Sequence, residues 1–84
     1  MVALSLRLGS FGTRVSNLQN VLNHVLPLNP LLATDAIFGE KTKARVVAFQ
    51  RKLGMVADGV VGASTAKALV ASVLDRPLNR IGPR

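Results

Sequence analysis

The side chains of this 84-residue chain best suited to acid–base or metal chemistry are four carboxylates and one histidine, His24. Cysteine is absent, so thiol nucleophiles, disulfides and the thiolate zinc sets are excluded. A lone histidine cannot build a multi-histidine metal site, and in a helical stretch it reads as a solvated or packed residue. Asp35 and Asp58 are the one pair that could serve as acid and base. Each, however, opens a copy of the same phrase, "DAIFGEKT" from Asp35 and "DGVVGAST" from Asp58. An acid repeated at the head of such a phrase is explained by its ability to accept backbone N–H groups across a tight turn. The expectation is a chain with no catalytic residue, no metal and no cofactor.

The phrases need helices to hold them, and three helical patterns are present. The first covers Thr13 to Val25, with Val15, Leu18, Leu22 and Val25 on one face. Gly12 precedes it, and Pro27 bars continuation past Leu26. The second covers Glu40 to Leu53, with Val46, Phe49 and Leu53 as its stripe and Gly54 as its stop. The third covers Ala63 to Leu74, with Leu69 and Val73 facing inward. The first two helices also repeat each other, as "VSNLQNVL" and "VVAFQRKL". Gln19 and Gln50 thus occupy matching places, where an amide beside the apolar stripe can anchor a neighbouring loop.

In each phrase the glycine, Gly39 or Gly62, stands at the N-cap, where unusual backbone geometry is tolerated. At least one residue of Ile37–Phe38 and of Val60–Val61 must enter the core. Thr42 and Thr65 fall in the first helical turn, where a hydroxyl can help close the cap. The fold class expected is all-α: a compact three-helix bundle built on a duplicated loop–helix unit. Its domain spans residues 1–74, and residues 75–84, with Pro77, Gly82 and Pro83, read as a basic linker. Leu28, Leu31 and Leu32, in the connector after the first helix, are expected to cover the core.

Eleven Lys and Arg against four Asp and Glu give a net charge of +7. That balance favours polyanionic partners: nucleic acid, anionic lipid or an acidic cell-wall polymer. Nucleic acid is disfavoured, because the second and third helices offer few groups that read base edges. No run approaches the roughly 20 apolar residues of a membrane span. "MVALSLRLG", interrupted by Arg7, is too short for a signal peptide.

Taken in order, "LRLGSFGTRVSNLQNVLN", "DAIFGEKTKARVVAFQRKLGM" and "ADGVVGASTAKAL" resemble the peptidoglycan-binding-domain-like family, from about Leu6 to Leu69. The resemblance implies a small three-helix module of bacterial or phage cell-wall proteins, and non-catalytic binding of peptidoglycan through glycan and stem peptide. It implies a fused or partner enzyme, a place in the bacterial envelope or outside the cell, and a monomer. The alternative is a protein–protein adaptor of an envelope or secretion complex. Ala36 departs from the family's Asp-Gly, so the first turn is expected to be shaped differently. Trp and Tyr are absent, so no aromatic sugar platform carries over from the family. The ligand-binding candidates are Phe11, between two loop glycines; Arg14; the basic edge of Lys41, Arg45 and Lys52; and Asp58 with Gly59. The basic edge falls within about 40° of arc at 100° per residue, and could hold stem-peptide carboxylates.

Overall fold

The computed structural model describes residues 5–75. Three helices follow one another: α1 (Thr13–Val25), α2 (Glu40–Lys52) and α3 (Ala63–Asp75). The apolar spacing of α1 does what its period demands. Val15, Leu18, Leu22 and Val25 are all buried, and α1 packs against both other helices. The core adds Val46 and Phe49 from α2, Leu69 from α3, and Phe38 and Val61 from the two repeated phrases. Leu22 is fully buried, so Leu22→Ala would cost about 2–5 kcal/mol.

The helix ends follow from local sequence. At the end of α1, Leu26 leaves the helical region (φ −141°, ψ 71°) ahead of Pro27, whose ring disfavours helical backbone in the residue before it. In α2, Glu40 sits in the first turn and Arg51 and Lys52 in the last, both favourable to the helix dipole. Gly54 then turns left-handed (φ 74°). Its N–H donates to the Arg51 carbonyl at 3.1 Å, and the Met55 N–H to that of Gln50 at 2.8 Å. These two bonds are the Schellman closure of a helix.

α2 ends at Lys52, so Leu53 is its C-cap and stands half exposed at 45% instead of completing the apolar stripe. Only one of the three connector leucines covers the core. Leu32 is buried, whereas Leu28 and Leu31 face solvent. Asn23 explains the choice: its amide donates to the Leu32 carbonyl and accepts the Leu32 N–H, both at 2.8 Å, pinning that one residue inward. Asp75, assigned to the linker by the sequence, closes α3. The rest of that linker, 76–84, lies outside the described residues, as do residues 1–4 of the expected domain.

The stretch before α1 crosses both repeated phrases. Leu6 exchanges two backbone bonds with Val61, at 3.1 and 2.8 Å. Further on, the Phe38 N–H donates to the Ser10 carbonyl at 2.9 Å, and the Gly12 N–H to that of Ala36 at 2.9 Å. Isolated antiparallel bridges, Leu6 with Val61 and Phe11 with Ile37, result. Among the described residues no strand forms, and no helix is long and apolar enough to cross a membrane.

Candidate functional site

The two phrases fold into the same device. Gln19 is fully buried, and its amide nitrogen donates to Asp35 Oδ1 (3.1 Å), the Ile37 carbonyl (3.0 Å) and Thr42 Oγ1 (3.0 Å). Its amide oxygen accepts the Ala36 N–H at 3.0 Å. Gln50 repeats the set on Asp58 Oδ1, the Val60 carbonyl and Thr65 Oγ1, each at 3.1 Å, and accepts the Gly59 N–H at 3.0 Å. Each glutamine therefore anchors its loop, as expected. The threonines differ from expectation. Thr42 makes no cap bond at the start of α2; it and Thr65 are buried and take the glutamine amides.

Asp35 Oδ1 also accepts the Ile37 N–H at 3.0 Å, and Asp58 Oδ1 the Val60 N–H at 2.9 Å. These backbone donors, followed by the glutamine amides, lower both carboxyl pKa values below their ordinary 3.8. Carboxylates so held are poor proton donors at neutral pH. Among the described residues no three His, Cys, Asp or Glu side chains could hold a metal ion.

The first turn is not reshaped by its missing glycine. Ala36 adopts φ 66° and Gly59 φ 74°, so the alanine is held left-handed, a conformation that costs about 1–2 kcal/mol for a residue with a Cβ. Gly59 is required on a second count. A Cβ there would lie 2.8 Å from Cγ of Lys43, whose side chain covers the turn. Gly39, in contrast, caps α2 with an extended backbone, φ −101°, and needs no glycine geometry.

Two hollows adjoin the two copies of this device, and a groove lies between α1 and α3. One, of about 250 Å³, is bordered by Asp35, Ile37, Glu40 and Lys41. Its repeat counterpart, of about 490 Å³, is bordered by Met55, Val56, Asp58, Val60 and Ser64. The groove, apolar and of about 430 Å³, is walled by Leu18, Val21, Leu69, Val70 and Val73.

The candidate ligand residues fall on different parts of this surface. Phe11 is 81% exposed and pairs with Ile37, itself 60% exposed. Ile37 continues into the first hollow, where Lys41 stands. Phe11, Ile37 and Lys41 thus form one surface. Arg14 lies elsewhere, at the α1–α3 groove. Lys52 is exposed at the far end of α2. Arg45 leaves the basic edge, because Nη2 donates to the Pro30 carbonyl at 3.0 Å and Nη1 is buried. It ties the connector to α2. Gly59 is buried beneath Lys43 with its N–H engaged, so of the Asp58–Gly59 pair only the acid faces solvent. Sequence reasoning left open which of Ile37 and Phe38 turns outward, and it missed the 80% exposure of Val56. The alternation of facing in extended backbone was the available signal for Ile37, with Phe38 buried next to it.

Residues 11–69, which contain the whole repeated device, match the model of the peptidoglycan-binding domain family. The chain belongs to that family. This peptidoglycan-binding domain is 39% identical over 67 residues to the probable N-acetylmuramoyl-L-alanine amidase of Bacillus licheniformis. That match covers 80% of this chain and 19% of the amidase, so the chain spans about a fifth of its curated relative. The crystal structure of the SleB N-terminal domain superposes with a TM-score of 0.76 at 29% identity, covering 86% of this chain and 96% of that one. The Burkholderia AP3 phage endolysin gives 0.74 at 43% identity, covering 81% of this chain and 25% of the enzyme. The all-α, three-helix expectation therefore holds for both the fold and the family.

Proposed function

We propose that this domain is a non-catalytic module that carries an attached or partner cell-wall enzyme to peptidoglycan, in the bacterial envelope or outside the cell. The observation that carries the reading is the exposed pair Phe11–Ile37 beside Lys41. A pyranose ring stacks its C–H face on such an apolar ledge, while the ammonium of Lys41 takes a stem-peptide carboxylate. Lys52 and Arg14 add long-range attraction without sharing the ledge. The domain acts as a monomer. Its shallow site gives weak affinity, and multiple copies or a repeating polymer supply avidity. The partial coverage of the amidase and the endolysin supports an attached enzyme.

The test is co-sedimentation with protein-free sacculi at low and high salt. Pelleting that survives high salt and falls in Phe11→Ala and Lys41→Ala supports the reading. Pelleting abolished by salt for every variant shows only a +7 protein on a polyanion. A second reading, a protein–protein adaptor, is favoured by the α1–α3 groove, where Val70 and Leu74 stay 59% and 57% exposed. It takes precedence if the domain fails to pellet at any salt.

A further inference from the structure

The apolar groove between α1 and α3 includes both residues of the Leu6–Val61 bridge. Along its walls Val21 and Val73 are half-buried, and Val70 and Leu74 are exposed. The chain that enters it is extended. The Arg7 guanidinium donates to Ser5 Oγ at 2.8 Å, so these two side chains share one face, while Leu6 between them packs against the core. Alternate residues of an extended chain share a face. Continued backwards, the alternation puts Leu4 and Val2 on the side of Leu6, and Ala3 with Ser5 and Arg7. Direction agrees with facing. Leu6 pairs antiparallel with Val61, so stepping back from Leu6 follows the chain forward from Val61, towards Ala63 and α3. The four steps from Leu6 to Val2 span about 13 Å, against about 10 Å of helical rise from Ala63 to Val70.

We propose that the occupant of this groove is the chain's own segment 1–4, Met1, Val2, Ala3 and Leu4, whose Leu4 and Val2 cover Val70 and Leu74. The segment carries no charged side chain, which suits walls that are aliphatic apart from Arg14 and Asn17. The other terminal segment, 76–84, would bring Arg76, Arg80 and Arg84 to a groove already lined by Arg14. A second copy would bring a net charge of +7. Both are repelled. The inference stands apart from the wall reading and bears on the adaptor one. The groove is closed in cis, and a partner protein must displace the arm before it can dock there.

The full chain with labelled Leu and Val methyl groups tests this by NOE spectroscopy. Contacts from the Leu4 and Val2 methyls to those of Val70 and Leu74, unchanged on dilution, are expected. Contacts seen only between labelled and unlabelled copies, contacts to the groove from Leu78 or Ile81 instead, or none from Leu4 and Val2 overturn the proposal. Substitutions on the two faces of the arm supply a second measurement. Leu4→Asp should lower the thermal midpoint by about 4–8 °C, the scale of partial burial of one aliphatic side chain in a domain of this size. Ala3→Asp, the same charge on the opposite face, should leave the midpoint in place. In a Val70→Asp background Leu4→Asp should cost nothing further, because the surface it covers is gone. Equal shifts from Leu4→Asp and Ala3→Asp, or full additivity with Val70→Asp, overturn the arm. Should Val70→Asp fail to fold, the NOE contacts and the Leu4–Ala3 comparison decide.

Discussion

The amide nitrogen of Gln19 on α1 lies 3.0 Å from the Thr42 hydroxyl on α2, a bond between two helices made inside the core. Gln50 and Thr65 make its copy between α2 and α3 at 3.1 Å. Each glutamine also holds the loop that leads into the next helix, so one buried side chain sets both the turn and the helix packing. The fold is thus stitched twice by the same polar device.

Replacing either glutamine by leucine should therefore destabilise the domain by about 2–3 kcal/mol, because a buried threonine hydroxyl and a loop N–H lose their partner. Gln50→Glu should be worse at neutral pH than Gln50→Leu, since a second carboxylate would face Asp58. Urea unfolding midpoints of the three variants check both statements.

Ala36 and Gly59 occupy equivalent turns with the same left-handed backbone. Ala36→Gly should stabilise the domain by about 1 kcal/mol by removing the Cβ strain. Gly59→Ala should destabilise it by more than that, because the strain is joined by the clash with Lys43. Opposite shifts in the thermal midpoint are the expected result.

The pH profile follows from the two aspartates. Their carboxyl groups titrate lower in the folded chain than their ordinary 3.8. Their contribution is fully present above the unfolded value and is lost as pH falls through the lower folded value. Thermal stability should be insensitive to these groups near neutrality and fall in acid, more shallowly in Asp35→Asn/Asp58→Asn. Melting curves from about pH 2 to about pH 7 measure this.

Arg45 and Lys41 should separate stability from binding. Arg45→Ala removes the bond to the Pro30 carbonyl and should cost about 1 kcal/mol. Lys41→Ala, at an exposed position, should change stability by less than about 0.5 kcal/mol. Paired urea titration and sacculus binding distinguish the roles.

The helices, the repeat and the anchoring glutamines were legible in the sequence because they rest on short-range periodicity. Val15, Leu18, Leu22 and Val25 share a face by helical spacing alone, and a glutamine beside that face must find partners nearby. The sequence also carries the ordered motifs of the family, which make the binding class readable from the residues alone. Tertiary structure decided what depends on neighbours distant along the chain. Phe11 stands out in solvent because its bridge partner, Ile37, faces outward with it. Arg45 left the basic edge because the connector brought a carbonyl within its reach. Ala36 is held left-handed where its own preference points elsewhere, since Gln19 fixes its N–H and Gly12 its carbonyl. Periodicity assigns a residue to a face; only the packed chain determines what that face meets.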